Sequence, residues 1–175
     1  FIPMNKNADL LQDAAGKIWL STDSLLSLFD PSSRSFKSWF VIPDSTKKLK
    51  FANLVADPLD QDIIWANTFI SGIDENKNPY KRKVLKINTR TKAYNIFIQN
   101  DKDPASIAGN CMGILTDSLN RIWYLTDKGI SLFNLQNETF TNYAIKFPAS
   151  TTGEKTSVYA LTSDKEGNLW LGGYK

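Results

Sequence analysis

The chain has 175 residues, with 21 Lys and Arg against 18 Asp and Glu for a formal charge of +3, one cysteine and no histidine. The missing imidazole excludes Ser-His-Asp and Cys-His catalysis, His-ligated zinc and any histidine general base, and the lone Cys111 excludes an internal disulfide and reads as a buried thiol. A small charge spread along the chain lacks the basic stripe that nucleic acid requires, and no apolar run is long enough to cross a bilayer, so no nucleic-acid partner is expected.

The size is that of one domain with a substantial core. In the first stretch, Leu10-Leu11 lead to Asp13, and a turn at Gly16 delivers Ile18-Trp19-Leu20-Ser21. Leu25-Leu26-Ser27-Leu28-Phe29 then run into the turn Asp30-Pro31-Ser32-Ser33, and Ser35 to Trp39 close the stretch. Short apolar runs divided by turn residues about every ten positions read as antiparallel strands. The arrangement recurs down the chain. Trp19, Trp65, Trp123 and Trp170 sit in related contexts 46, 58 and 47 residues apart. After Trp19, Asp30, Phe36 and Trp39 follow at 11, 17 and 20 residues, and Asn134, Phe140 and Tyr143 follow Trp123 at the same intervals. Asn88, Tyr94 and Phe97 follow Trp65 at 23, 29 and 32, so one insertion of 12 residues restores the register.

Gly16, Asp62, Asn120 and Gly167 stand three residues before the tryptophans and are residue types that tolerate positive φ in a bulged hairpin. Asp13, Asp117 and Asp164, three residues earlier again, can cap that turn through the carboxylate, a structural role rather than a catalytic one. Alternation puts Ile18 and Leu20 on one face of the second strand and Trp19 on the other, so both faces of each sheet must be covered. Four-stranded antiparallel units of about 46 residues, covered on both sides by their own copies, describe an all-β, partial β-propeller. The blades are read as 8–40, 51–97 with a hairpin insertion at 71–83, 111–147, and a half blade 158–175, about three and a half in all. The repeated tryptophans are packing wedges. Trp39 and Phe40, on the outermost predicted strand of the first blade, are expected to cover its edge.

Asp164-Lys-Glu-Gly-Asn-Leu-Trp-Leu-Gly172, supported by Gly129-Ile-Ser-Leu-Phe-Asn134 and Leu28-Phe29-Asp30, resembles the two-component regulator propeller repeat. The resemblance implies the periplasmic sensor region of a hybrid two-component histidine kinase of the Bacteroidetes type, responding to oligosaccharides and regulating glycan use. It also implies a homodimeric parent protein whose remaining blades, downstream domains and membrane segment lie outside this chain. An unclosed stack of blades would leave apolar end faces, which suggests a piece of a larger ring that pairs with a copy or a partner.

A saccharide site needs aromatic platforms beside planar polar groups. The insertion offers Asn76, Tyr80, Lys81 and Arg82, and its basic end, with Lys47, Lys48 and Lys50, suits an acidic saccharide. Asp74 to Asn78 superficially matches a calcium loop, but Pro79 holds the glycine position and Leu85 the place of the bidentate Glu, so no metal is expected. Asn137-Glu138-Thr139 is a sequon on a predicted turn and carries no functional expectation. No cofactor is expected, and no enzymatic activity: propeller lyases of the streptogramin-lyase type rely on a histidine that this chain lacks. The expected role is ligand sensing, with a protein-interaction scaffold as the alternative.

Overall fold

The computed structural model describes residues 8–22, 25–41, 48–71, 82–145 and 157–174, and the regular structure among them is entirely strand. In chain order the strands are β1 (Asp9–Gln12), β2 (Ile18–Thr22), β3 (Leu25–Asp30), β4 (Ser35–Val41), β5 (Lys48–Ala56), β6 (Ile63–Ser71) and β7 (Arg82–Asn88). They continue with β8 (Tyr94–Phe97), β9 (Cys111–Thr116), β10 (Ile122–Thr126), β11 (Gly129–Asn134), β12 (Thr139–Ala144), β13 (Ser157–Ser163) and β14 (Leu169–Tyr174). They form three four-stranded sheets in simple sequential order, β1 to β4, β5 to β8 and β9 to β12, followed by the two-stranded β13-β14. The strand pairings are antiparallel. The chain divides into two compact units, Phe1–Ile96 and Phe97–Lys175.

Within the first unit the sheets stack by a face rule. Register aligns Leu11, Trp19 and Leu28 in one row and Ser21, Leu26 and Phe40 in another, so these side chains share a face. On the second sheet Leu54, Ala66 and Leu85 share a row, as do Ala56, Ile64 and Ile87, while Trp65 points to the opposite side. The two faces merge into one core of Trp19, Leu26, Phe40, Phe51, Leu54, Ile64, Ala66, Leu85 and Ile87. The tryptophan face of one sheet is therefore seated on the aliphatic face of the next. Asp9, at the start of β1, adds a polar tie by accepting a hydrogen bond from the Leu54 N–H at 2.7 Å.

Phe40 is part of this core, and Trp39 meets Trp19 edge to face at a 5.1 Å centroid distance with the Lys92 ammonium 5.2 Å from its ring centre. They therefore do not serve as an edge cover. The irregular register between Leu26 and Ser27 lets both aromatics turn inward from adjacent positions.

In the second unit, Tyr124, Phe133 and Phe140 pack at centroid distances of 5.1 to 6.4 Å. The outer edge of β12 is occupied: the Ala105 carbonyl accepts from the Phe140 N–H at 2.8 Å, and the Asn142 amide donates to the carbonyls of Pro104 and Ser106. Residues 104–106 thus mask backbone groups that would otherwise template another chain.

The turns repeat as faithfully as the strands. Asp30, Asn88 and Asn134 close β3, β7 and β11, and the side-chain oxygen of each accepts the N–H two residues on. The fourth residue after each is Arg34, Lys92 or Glu138, with φ of 49°, 64° and 56°. A left-handed residue at that position is what a five-residue hairpin turn needs to return the strand in register. In the turns before the tryptophans, Gly16, Asn120 and Gly167 have φ of 78°, 59° and 82°. Asp62 departs from the expected positive φ. The longer turn of the second sheet closes instead with the Ile63 N–H on the Asp60 carbonyl and the Asp57 N–H on the Ile63 carbonyl, both at 3.0 Å.

Two substitutions test this description in urea denaturation. Leu85→Ala should cost about 2–5 kcal/mol, because the site is fully buried between two sheets. Arg34→Gly should raise stability by up to about 1 kcal/mol, because the native backbone already holds the left-handed conformation that glycine adopts without a Cβ penalty.

Candidate functional site

The four repeated aspartates are the carboxylates that a search for acid-base chemistry would select first. In each, Oδ2 accepts the indole N–H of the repeat tryptophan: Asp13 from Trp19, Asp57 from Trp65 and Asp117 from Trp123 at 2.8 Å, and Asp164 from Trp170 at 3.0 Å. The Oδ1 atoms hold the turns. Asp13 accepts from the backbone N–H groups of Ala15 and Lys17, Asp117 from Leu119 and Arg121, Asp57 from Leu59 and Asp60, and Asp164 from Asn168. Each carboxylate is committed to its own turn and indole, and at Asp117 a fourth bond, from the Arg121 Nε, takes up the remaining lone-pair site. For Asp13, Asp117 and Asp164 the capping role is the one read from the sequence; the indole bond is the part that reading missed.

The electrostatics agree with an ionised, structural carboxylate. Burial pushes the Asp117 carboxyl up, but hydrogen bonds from the Arg121 backbone, the Trp123 indole, the Arg121 guanidinium and the Leu119 backbone outweigh it and hold the group below its ordinary 3.8. At Asp164 the Asn168 side chain is the main cause of a similar depression, acting against burial and helped by the Trp170 indole. The first turns of the two sheets in the second unit are also tied together: the Arg121 Nη2 donates to the Gly167 carbonyl at 2.9 Å, and the Ser118 hydroxyl lies within reach of the carbonyls of Asp164 and Lys165. Gly167 is required there twice over, by its positive φ and because a Cβ would lie 2.6 Å from the Leu119 Cδ1.

Of the four residues singled out for ligand contact, Asn76, Tyr80 and Lys81 lie outside the described residues. Arg82 is the first residue of β7, opposite position 69 of β6, which in turn stands opposite Lys50 of β5. Lys50 and Arg82 therefore occupy one row and one face of the second sheet, at the end where residues 72–81 join β6 to β7. Both are half-buried. One row further in, on the same face, Asn67 is fully buried and neither amide atom has a hydrogen-bond partner among the described residues. Sequence reading joined the insertion with Lys47, Lys48 and Lys50; the strand register sets Lys50 in one row with Arg82 and brings the buried Asn67 next to them. The segment resembling a calcium loop falls mostly outside the described residues, and among the described residues no three His, Cys, Asp or Glu side chains gather to hold a metal. Cys111 is buried, and no described helix is long and apolar enough to cross a membrane.

Comparison with known proteins adds the following. Residues 153–175 match the family model described as two component regulator propeller. No curated protein matches the chain. Among solved structures, the extracellular domain assigned to a hybrid two component system of B. thetaiotaomicron is 21% identical with a TM-score of 0.65, over 97% of this chain and 22% of that one. PorZ, a surface component of the type-IX secretion system of Porphyromonas gingivalis, is 19% identical with a TM-score of 0.65, over 95% of this chain and 24% of that one. A luciferin-regenerating enzyme is 17% identical with a TM-score of 0.64, over 98% of this chain and 57% of that one. This chain thus spans less than a quarter of the first two. The likenesses establish the fold: all-β, a partial propeller of four-stranded antiparallel blades.

The clamp generates a test with a pH signature. Asp117→Ala strands a buried indole N–H and two backbone N–H groups, and at neutral pH it should cost about 2–3 kcal/mol in urea denaturation. Because the folded carboxyl sits below 3.8, its stabilising contribution is complete above that value and drains away as pH falls through the depressed one. The stability gap between wild type and variant should therefore narrow on acidification, and a gap that widens would contradict the assignment.

Proposed function

We propose that the chain is part of the ligand-sensing propeller of an extracytoplasmic, periplasmic receptor in a hybrid two-component system, without catalytic activity of its own. The observation that carries this reading is the fold likeness, over almost the whole chain, to the extracellular domain of such a system, together with a propeller-family match at the repeat that closes the chain. The ligand we propose is an oligosaccharide. Its site is the basic end of the second sheet and the insertion beside it, with Asn76, Tyr80, Lys81 and Arg82 as the contacting residues and Lys50 and Asn67 behind them. A tyrosine ring stacks on a sugar face, the amide of Asn76 matches vicinal hydroxyls, and Lys50, Lys81 and Arg82 favour a saccharide bearing carboxylate or sulfate.

In this reading the free energy of ligand binding biases the arrangement of two subunits of a homodimeric parent, and through it a histidine kinase that regulates glycan use. Signalling requires only that the ligand bind one arrangement more tightly than the other. A second reading, a docking scaffold for another polypeptide, draws support from the equal likeness to a secretion-system surface component.

Titration calorimetry against acidic and neutral oligosaccharides separates the two. The sensor reading expects saturable binding of an acidic oligosaccharide with no turnover, weakened about tenfold or more by Arg82→Ala and by added salt. A panel of saccharides that fails to bind, alongside capture of a defined protein partner, would favour the scaffold.

A further inference from the structure

Four of the five tryptophans give their indole N–H to an aspartate. Trp39 does not. It is half-buried, and its N–H has no hydrogen-bond partner among the described residues. Its place in the strand is also irregular. In the third sheet β12 pairs with β11 without a break, whereas in the first the register jumps from the pair Ser27 and Ser38 to the pair Leu26 and Phe40, which leaves Trp39 as the extra residue of a bulge. A bulge on an edge strand re-aims a side chain. Here Trp19 holds the indole edge to face at 5.1 Å, and part of the ring stays open to solvent.

A second group reaches the same ring from the neighbouring sheet. Lys92 stands at the left-handed tip between β7 and β8, where its N–H donates to the Asn88 carbonyl at 2.9 Å, and its ammonium lies 5.2 Å from the Trp39 ring centre. Lys92 has no carboxylate partner among the described residues. The carboxylates of the nearby turns are already taken, Asp30 by Lys37 and Asp62 by Arg90. Phe40 bridges the sheets, 6.1 Å from Trp39 and 5.5 Å from the half-buried Tyr94. The seam between the outer strands β4 and β8 thus combines aromatic rings with an indole N–H and an ammonium that no acceptor answers. It lies where the first two sheets meet, not on the outward face of either.

We propose that this seam is a second saccharide site, separate from the one at Arg82, and that its ligand carries a sulfate or carboxylate. One charged and one neutral donor suit an anionic group with several acceptor oxygens. The ring beside them suits the apolar face of a sugar, which a free inorganic anion lacks. An exposed cation over a ring is a weak contact, whereas an ammonium on an anionic oxygen makes a charge-assisted hydrogen bond, so Lys92 exchanges the ring for the anion and leaves the indole to the sugar. The two sites stand at opposite ends of β7, Arg82 at its start and the Lys92 turn beyond its end at Asn88. The inference holds whether or not the chain is part of a sensor.

Two-dimensional NMR of the full chain reads the indole N–H signals directly, with Trp39→Phe assigning that of Trp39. The probes are a chondroitin sulfate tetrasaccharide, cellotetraose and inorganic sulfate. The sulfated tetrasaccharide should shift the Trp39 signal saturably and leave those of Trp19, Trp65 and Trp123 in place, and the other two probes at the same concentration should not move it. Lys92→Asn, which suits the left-handed tip, should weaken this binding at least about tenfold, and Lys92→Arg should retain it. Arg82→Ala, and Lys102→Asn as a control that removes one exposed charge elsewhere, should leave it unchanged. Trp39→Phe, which keeps a ring but loses the donor, should weaken binding in calorimetry and stands in for a Lys92 variant that does not fold. A Trp39 signal that stays still at saturating probe, an equal response to inorganic sulfate, a Lys92→Asn variant that binds as wild type does, or a Lys102→Asn variant weakened as much would each overturn the inference.

Discussion

The bond between one carboxylate oxygen and one indole N–H organises each repeat of this protein. Burying a tryptophan contributes a large apolar area but also removes an N–H donor from water, and an unpaired donor costs about 1–3 kcal/mol. In all four repeats an aspartate answers that donor while its other oxygen closes the preceding turn. One side chain thus fixes the hairpin, orients the wedge and satisfies the wedge's polar atom. The second sheet, whose turn is longer, keeps the same bond from a carboxylate eight residues before the tryptophan rather than six. The turn can change so long as the oxygen arrives at the indole.

From that constraint the stacking follows. A wedge held on one face of its sheet requires an apolar seat on the neighbour, and the neighbour's own wedge must then point the other way. The first unit shows the result as a single core drawn from two sheets. Directional stacking of this kind gives each sheet two unlike faces, one carrying the tryptophan and one carrying its aliphatic seat.

Much of this was legible in the sequence because it repeats. The intervals of 11, 17 and 20 residues after Trp19 and Trp123, each lengthened by 12 after Trp65, located the asparagine or aspartate that ends the third strand and the aromatics of the fourth. Other features left no such trace. Arg34, Lys92 and Glu138 occupy left-handed positions with side chains that signal no turn, and only their common place four residues after Asp30, Asn88 and Asn134 betrays them. Asp62 had the right residue type but the wrong turn length. Trp39 and Phe40 read as an edge because alternation sends neighbours to opposite faces, and the register irregularity that brings both inward has no residue-level mark. At the candidate site, Arg82 could be found from its place in a basic insertion, but its alignment with Lys50 and Asn67 depends on pairing between strands far apart in sequence.

The left-handed turn tips carry a consequence for how such repeats diversify. Arginine, lysine and glutamate hold the same backbone conformation at equivalent tips, so the geometry there is set by the side-chain oxygen of the preceding Asp or Asn, joined at Lys92 and Glu138 by its carbonyl, rather than by the tip residue. The sign of charge at a tip is therefore not what sets its backbone, and only at Lys92, whose ammonium faces the Trp39 ring, does the charge of a described tip meet an aromatic face. A rim of this kind can be recoded, cationic in one copy and anionic in another, to steer approaching molecules while the packed interior remains unaltered.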